Sequence, residues 1–180
     1  MKYASEELKN EHEGILHGLA ILEKMADSTE SGSPVPVAEI SEIVNFLILF
    51  ADKCHHGKEE GILFPILERY GVANERGPIG QMLSEHVEGR KYIQGLSLSI
   101  SNGTLDTSAF VTNARHYIEL LRAHIQKENN VLFPMGDKII PESEQQRVLE
   151  AFENHEQTAM GPGIHDKLHG MLDTFQKKYL

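Results

Sequence analysis

The chain has 180 residues, 40% of them hydrophobic and 24% charged, with 27 acidic against 17 basic side chains and a formal net charge of −10. That composition suits one globular domain with a core of its own, and its acidic excess argues against nucleic-acid backbones and anionic membranes as partners. The single cysteine, Cys54, excludes an intrachain disulfide and fits a reducing cytoplasm, and no apolar run approaches the ~18–20 residues of a spanning helix.

The opening stretch, "MKYASEELKNEHEG", lacks the apolar core of a signal peptide. Apolar residues then recur at helical spacing. Ser5 is placed to cap a first helix to about Ala26, with Leu8, Ile15, Leu19 and Leu22 on one stripe. The polar, proline-broken stretch 28–36 is a loop. A second helix is expected from about Val37 to Tyr70, a third from about Gly77 to Ile100, and a fourth from an Asp106 or Thr107 cap to about Lys138. Loops are expected at 71–78 and 101–106. A shorter helix from about Glu142 to Met160 and a last one from Gly163 onward flank a Gly-Pro-Gly corner. Strand-like alternation is absent. The spacing predicts an all-α protein, an antiparallel up-down four-helix bundle over residues 1–140, followed by a C-terminal helical hairpin, 141–180, packed on it. Pro65 and Pro134 interrupt helices two and four at matching places, where kinks or breaks are expected.

The chemistry lies in a repeat. Cys54–Pro65 reads "CHHGKEEGILFP" and residues 124–134 read "HIQKENNVLFP". Aligned on Leu-Phe-Pro, His55 falls on His124 and Glu59 on Glu128, so H-x-x-x-E-x-x-[IV]-L-F-P is written twice. His12, in "NEHEG", and His86, in "SEHVEG", each stand on the helix before a motif helix. Two similar helical hairpins are therefore expected to pack face to face. Residues four apart share a helix face, so the two His-Glu pairs would converge with His12 and His86 inside the bundle. Two bare interior carboxylates cost several kcal/mol each, and bound cations remove that cost. Imidazole plus carboxylate without thiolate suits iron, manganese or zinc. Two octahedral ions offer about twelve positions; this set together with one shared bridging oxygen fills about ten and leaves about two open for a small molecule. His56 and Glu60 form a rival pair shifted by one residue, which the Leu-Phe-Pro alignment disfavours. Cys54, His17, His116, Tyr92 and Tyr117 read as packing or surface residues, and Leu63, Phe64, Leu132 and Phe133 as hydrophobic support.

The order H…H-x-x-x-E…H…H-x-x-x-E, with Leu-Phe-Pro after each glutamate, resembles the hemerythrin-like (HHE cation-binding) domain family over roughly Tyr3 to Lys138. The resemblance implies a four-helix bundle holding a non-haem di-iron centre, with His12, His55, Glu59, His86, His124 and Glu128 as metal ligands. It implies binding of O2 or a related diatomic or peroxide ligand, in oxygen or redox sensing or in iron handling. The enzymatic rival is an oxidoreductase consuming peroxide or nitric oxide, and a third reading is iron storage or donation. Members that carry oxygen have a further histidine four residues after the third-helix ligand, where this chain has Arg90. Glu156 and His165, in the C-terminal hairpin, are further metal-ligand candidates for an open position. A monomer or homodimer is expected.

Overall fold

A computed structural model describes residues 3–101 and 103–180; Met1, Lys2 and Asn102, the last inside the expected 101–106 loop, lie outside the described residues. Among the described residues the chain is all-α, with six helices and one minimal strand pair. Helix α1 is Ala4–Glu30. Its cap is Tyr3, whose backbone N–H donates to Glu6 Oε2 at 3.1 Å. The expected cap, Ser5, is buried and donates to Asp137 Oδ1 at 2.7 Å, because burial leaves its hydroxyl nearer a tertiary acceptor than the helix end. Helix α2 spans 37–69, α3 is Pro78–Leu98, and α4 spans 107–139 with the Asp106 side chain accepting from the Ala109 N–H at 3.0 Å. Between α3 and α4, β1 (Ile100–Ser101) pairs antiparallel with β2 (Thr104–Leu105), a two-residue pairing too short to leave an alternating pattern in the sequence. Helices α5 (Glu142–Ala159) and α6 (Ile164–Tyr179) complete the chain. The corner between them uses Gly161 and Gly163 at φ of 83° and 76°, a left-handed region that favours glycine.

Helix α1 packs against α2 and α4, and α3 against the same two. Helix α5 lies on α1 and α2, and α6 on α1. The docking of α5 is close: a Cβ at Gly57 would stand 2.5 Å from His155 Nε2, whose ring donates to the Lys53 carbonyl at 3.0 Å.

The two prolines do not break their helices. In each, the turn before the proline widens to a π-helix, Glu59–Leu63 and Glu128–Leu132. The Phe64 N–H reaches back five residues to the Glu59 carbonyl, and the Phe133 N–H to that of Glu128. A wider turn carries one extra residue, which absorbs the hydrogen bond that proline cannot make. A third π segment, Leu47–His56, runs into the first motif. Successive side chains there lie closer in direction than in an α-helix, and Cys54, His55 and His56 are all buried.

The core falls into two apolar clusters. One holds Ile15, Leu19, Phe46, Phe50, Phe110, Tyr117 and Leu121 with Leu168, Leu172 and Phe175 of α6. The other holds Leu8, Leu63, Phe64, Leu67, Leu132 and Phe133 with Val148 and Phe152 of α5. In sequence the buried polar residues His12, His55, Glu59, His86, His124 and Glu128 stand between members of the two clusters on every long helix.

Candidate metal centre

All six expected ligands are buried to 1% exposure or less and face one another. His12, His55, Glu59 and Glu128 bring donor atoms within 4.8 Å of one another, and so do His56, Glu59, His86 and His124. Glu59 belongs to both groups. Its Oε1 stands 3.4 Å from His55 Nε2 and its Oε2 3.4 Å from His86 Nε2. Glu128 Oε2 stands 3.2 Å from His12 Nε2 and 3.3 Å from His124 Nε2. The two carboxylates therefore span two histidine pairs.

Each of these four histidines is turned by a hydrogen bond on its outer nitrogen. His12 Nδ1 donates to Asn129 Oδ1 at 2.8 Å, His55 Nδ1 to Glu11 Oε2 at 2.7 Å, His86 Nδ1 to Glu60 Oε1 at 2.7 Å, and His124 Nδ1 to Glu85 Oε2 at 2.8 Å. Such outward bonds fix ring orientation and aim the Nε2 lone pair inward, the arrangement that metal-binding histidines use. The orienting carboxylates are themselves held. Lys58 Nζ donates to Glu11 Oε1 at 2.5 Å, Glu156 Oε2 at 3.0 Å and Glu7 Oε1 at 3.2 Å, and Lys127 Nζ donates to Glu85.

The inward atoms make the fit test for a cation. His12 Nε2, His55 Nε2 and all four oxygens of Glu59 and Glu128 are buried without a hydrogen-bond partner. Buried polar atoms are almost always paired, so six such atoms facing one another form a donor set that lacks its acceptor of electron pairs. His86 Nε2 and His124 Nε2 stand 3.1 Å apart. Two nitrogens at adjacent positions of one ion, each ~2.1 Å from it, would stand ~3.0 Å apart. The residues present fit divalent cations.

The protonation states follow from the same geometry. Burial alone would depress His55 and His124, but the Glu59 carboxylate lifts His55, and Glu128 lifts His124, each to about 10. Burial and the neighbouring Glu128 charge push Glu59 up, yet the pull of His55 and His86 leaves it at about 2. Burial, with the adjacent His86, drives His56 well below the usual imidazole range, so it stays neutral. Burial pushes the Cys54 thiol up to about 12, which suits its packing role.

Among the residues offered from the C-terminal hairpin, Glu156 is engaged by Lys58, and His165 packs 4.5 Å from the His169 ring and 5.7 Å from that of Phe50. Neither shares a donor group with the six core residues among the described residues. Glu156 instead joins Glu11 and Cys54, around Lys58. Arg90 pairs with neither Glu59 nor Glu128; its Nε donates to Asp52 Oδ1 and its Nη2 to Glu60 Oε1, both at 2.8 Å.

Sequence reasoning missed the orienting layer as such, and it set aside the His56–Glu60 pair, both of whose residues stand beside the inward histidines. Part of the signal was present. A glutamate precedes the single histidine on the first helix of each hairpin, Glu11-His12 and Glu85-His86, and a lysine precedes both motif glutamates, Lys58-Glu59 and Lys127-Glu128. The repeat gives His56 no support, because its counterpart there is Ile125.

The description of the hemerythrin HHE cation binding domain matches residues 3–136. The iron-sulfur cluster repair protein YtfE of Escherichia coli O1:K1 is 37% identical over 86 residues, covering 44% of this chain and 39% of the relative. The protein of the same description from Escherichia fergusonii matches to the same extent. This chain thus spans about two fifths of the length of these curated relatives. No solved structure matches.

Proposed function

The chain belongs to the hemerythrin HHE cation-binding domain family, and from that premise we propose that it is a non-haem di-iron protein that binds O2 or a related small molecule. One observation carries the reading: two buried carboxylates, each spanning a pair of histidines, with every inward oxygen lacking a hydrogen-bond partner. In this reading the closed cycle of α1, α2, α3 and α4 is an antiparallel up-down four-helix bundle, with residues 141–180 packed on it as a hairpin. His12 and His55 would hold one ion and His86 and His124 the other, with Glu59 and Glu128 shared between them. Manganese or zinc suit the same donors. When bound, iron supplies reversible redox chemistry and open positions for a small ligand.

The chain's own residues do the rest. Glu11, Glu60, Glu85 and Asn129 hold the four imidazoles in the tautomer that presents Nε2 inward. The two apolar clusters keep water from both ends of the site. No described helix is long and apolar enough to cross a membrane, and the lone buried Cys54 supports a place in the reducing cytoplasm.

The test is metal content with the visible spectrum of protein purified in air from iron-replete cells. About two iron atoms per chain with a stable charge-transfer band supports the reading; one metal per chain, or zinc alone, overturns it. A second reading, iron donation in iron-sulfur cluster repair, is favoured by the name that the YtfE relatives carry. Transfer of iron from the loaded protein to an apo iron-sulfur protein would establish it. Catalytic turnover of peroxide or nitric oxide would establish the oxidoreductase instead.

A further inference from the structure

His56 is buried to 3% exposure at the edge of the second histidine pair. One of its nitrogens lies within 4.8 Å of donor atoms of Glu59, His86 and His124, which at first suggests a third imidazole on one ion. The ring planes argue otherwise. The His56 ring stacks on that of His86 with centroids 3.9 Å apart and 16° between planes. An imidazole nitrogen offers its lone pair in the plane of its ring. A cation held in the plane of the His86 ring would lie outside the plane of the parallel His56 ring, so His56 would stand beside it.

The position is held from outside. His56 Nδ1 lies 3.4 Å from Asp52 Oδ1, and Asp52 is fixed by Arg90 at 2.8 Å. Arg90 also holds Glu60, which turns His86. One guanidinium thus keeps both stacked rings in place. At the register equivalent to His56 the second motif has Ile125, buried to 2% in the apolar core.

We propose that His56 is a hydrogen-bonding residue for the small molecule, standing beside the position held by His86 and His124 and not serving as a ligand there. The proposal rests on the di-iron reading above. An imidazole donates or accepts according to its tautomer, so His56 serves small polar ligands such as azide or hydrogen peroxide, which the sec-butyl side chain that Ile125 has at the matching register could not hydrogen-bond.

The experiment uses the full chain loaded with iron, in wild-type, His56→Ala and His56→Gln forms. Iron per chain is measured, histidine ligands per iron are counted by X-ray absorption, and azide is titrated through its charge-transfer band. The expected result is unchanged iron and histidine count in both variants, azide affinity about 10-fold weaker in His56→Ala, and partial recovery in His56→Gln, whose amide still hydrogen-bonds. A drop in histidine count or iron content in the variants overturns the proposal by making His56 a ligand. Unchanged azide affinity with full iron overturns it by making His56 mere packing. Wild-type protein that takes up no iron defeats the di-iron reading itself, a failure distinct from these two.

Discussion

The two halves of the centre use the same parts in different surroundings. Around His12 and His55 the orienting groups are Asn129 and Glu11, and the glutamate is held by Lys58, a lysine with no exposed surface. Around His86 and His124 they are Glu60 and Glu85, and the glutamate is held by Lys127, whose side chain is 42% exposed. The difference comes from what covers each half. Helix α5 lies over the first and brings Glu156 and Phe152 to Lys58, while the second is bordered by the half-buried pair Arg90 and Asp52. The inward donor set is thus repeated nearly unchanged, and the two halves diverge one layer out.

Removing what the halves share should have the largest effect. Glu59→Ala or Glu128→Ala should abolish most metal uptake and lower the melting temperature of protein purified from iron-replete cells, because metal binding adds to folding free energy. Near-normal iron in either variant, by elemental analysis, would show that the carboxylates do not bridge.

Next comes the covered half against the open one. Lys58→Ala leaves Glu11 and Glu156 in a covered site without their cation and should destabilise the protein by about 3 kcal/mol in denaturant unfolding. Lys127→Ala, at a partly exposed pair, should cost about 1 kcal/mol or less. Equal losses would mean that the cover provided by α5 has no energetic weight.

Acidity should sharpen the comparison by treating the halves alike. His55 and His124, one from each, stay protonated up to about pH 10 in the metal-free protein. A metal needs both neutral. Loading at pH 7 should therefore release protons, and metal affinity should rise with pH through the neutral range. The sign is fixed: a raised imidazole value means that the proton competes with the metal more strongly, not less. Calorimetric titration in buffers of different ionisation enthalpy measures the protons; none released would contradict the raised values. In the metal-free protein the same two imidazolium–carboxylate contacts contribute stability that is fully present below the ordinary imidazole value and lost as pH rises through about 10.

The smallest effect is expected at the rim of the open half. Arg90→Ala should change stability by no more than about 1 kcal/mol, since its side chain is 38% exposed. A loss as large as that of Lys58→Ala would place the two rims on an equal footing.

Much of this molecule was legible in the chain alone. The duplicated H-x-x-x-E-x-x-[IV]-L-F-P, with one histidine on each preceding helix, named the six residues that the structure brings together, because residues four apart share a helix face whatever surrounds them. The Asp106 cap and the loop positions were equally local matters. The response to proline was not: whether Pro65 and Pro134 kink a helix or widen a turn depends on which carbonyls and neighbours can absorb the extra residue. Only packing decided that both widened turns begin at Glu59 and Glu128, that Ser5 turns to Asp137, and that α5 seals Lys58. The same holds for His56. One residue's difference in a helix reads as a change of face, and only the π segment Leu47–His56, set by the tertiary environment, lets His55 and His56 both point inward at separate histidine pairs. Local periodicity determines which residues share a face; which face is buried, and beside what, is settled by contacts between residues far apart in the chain.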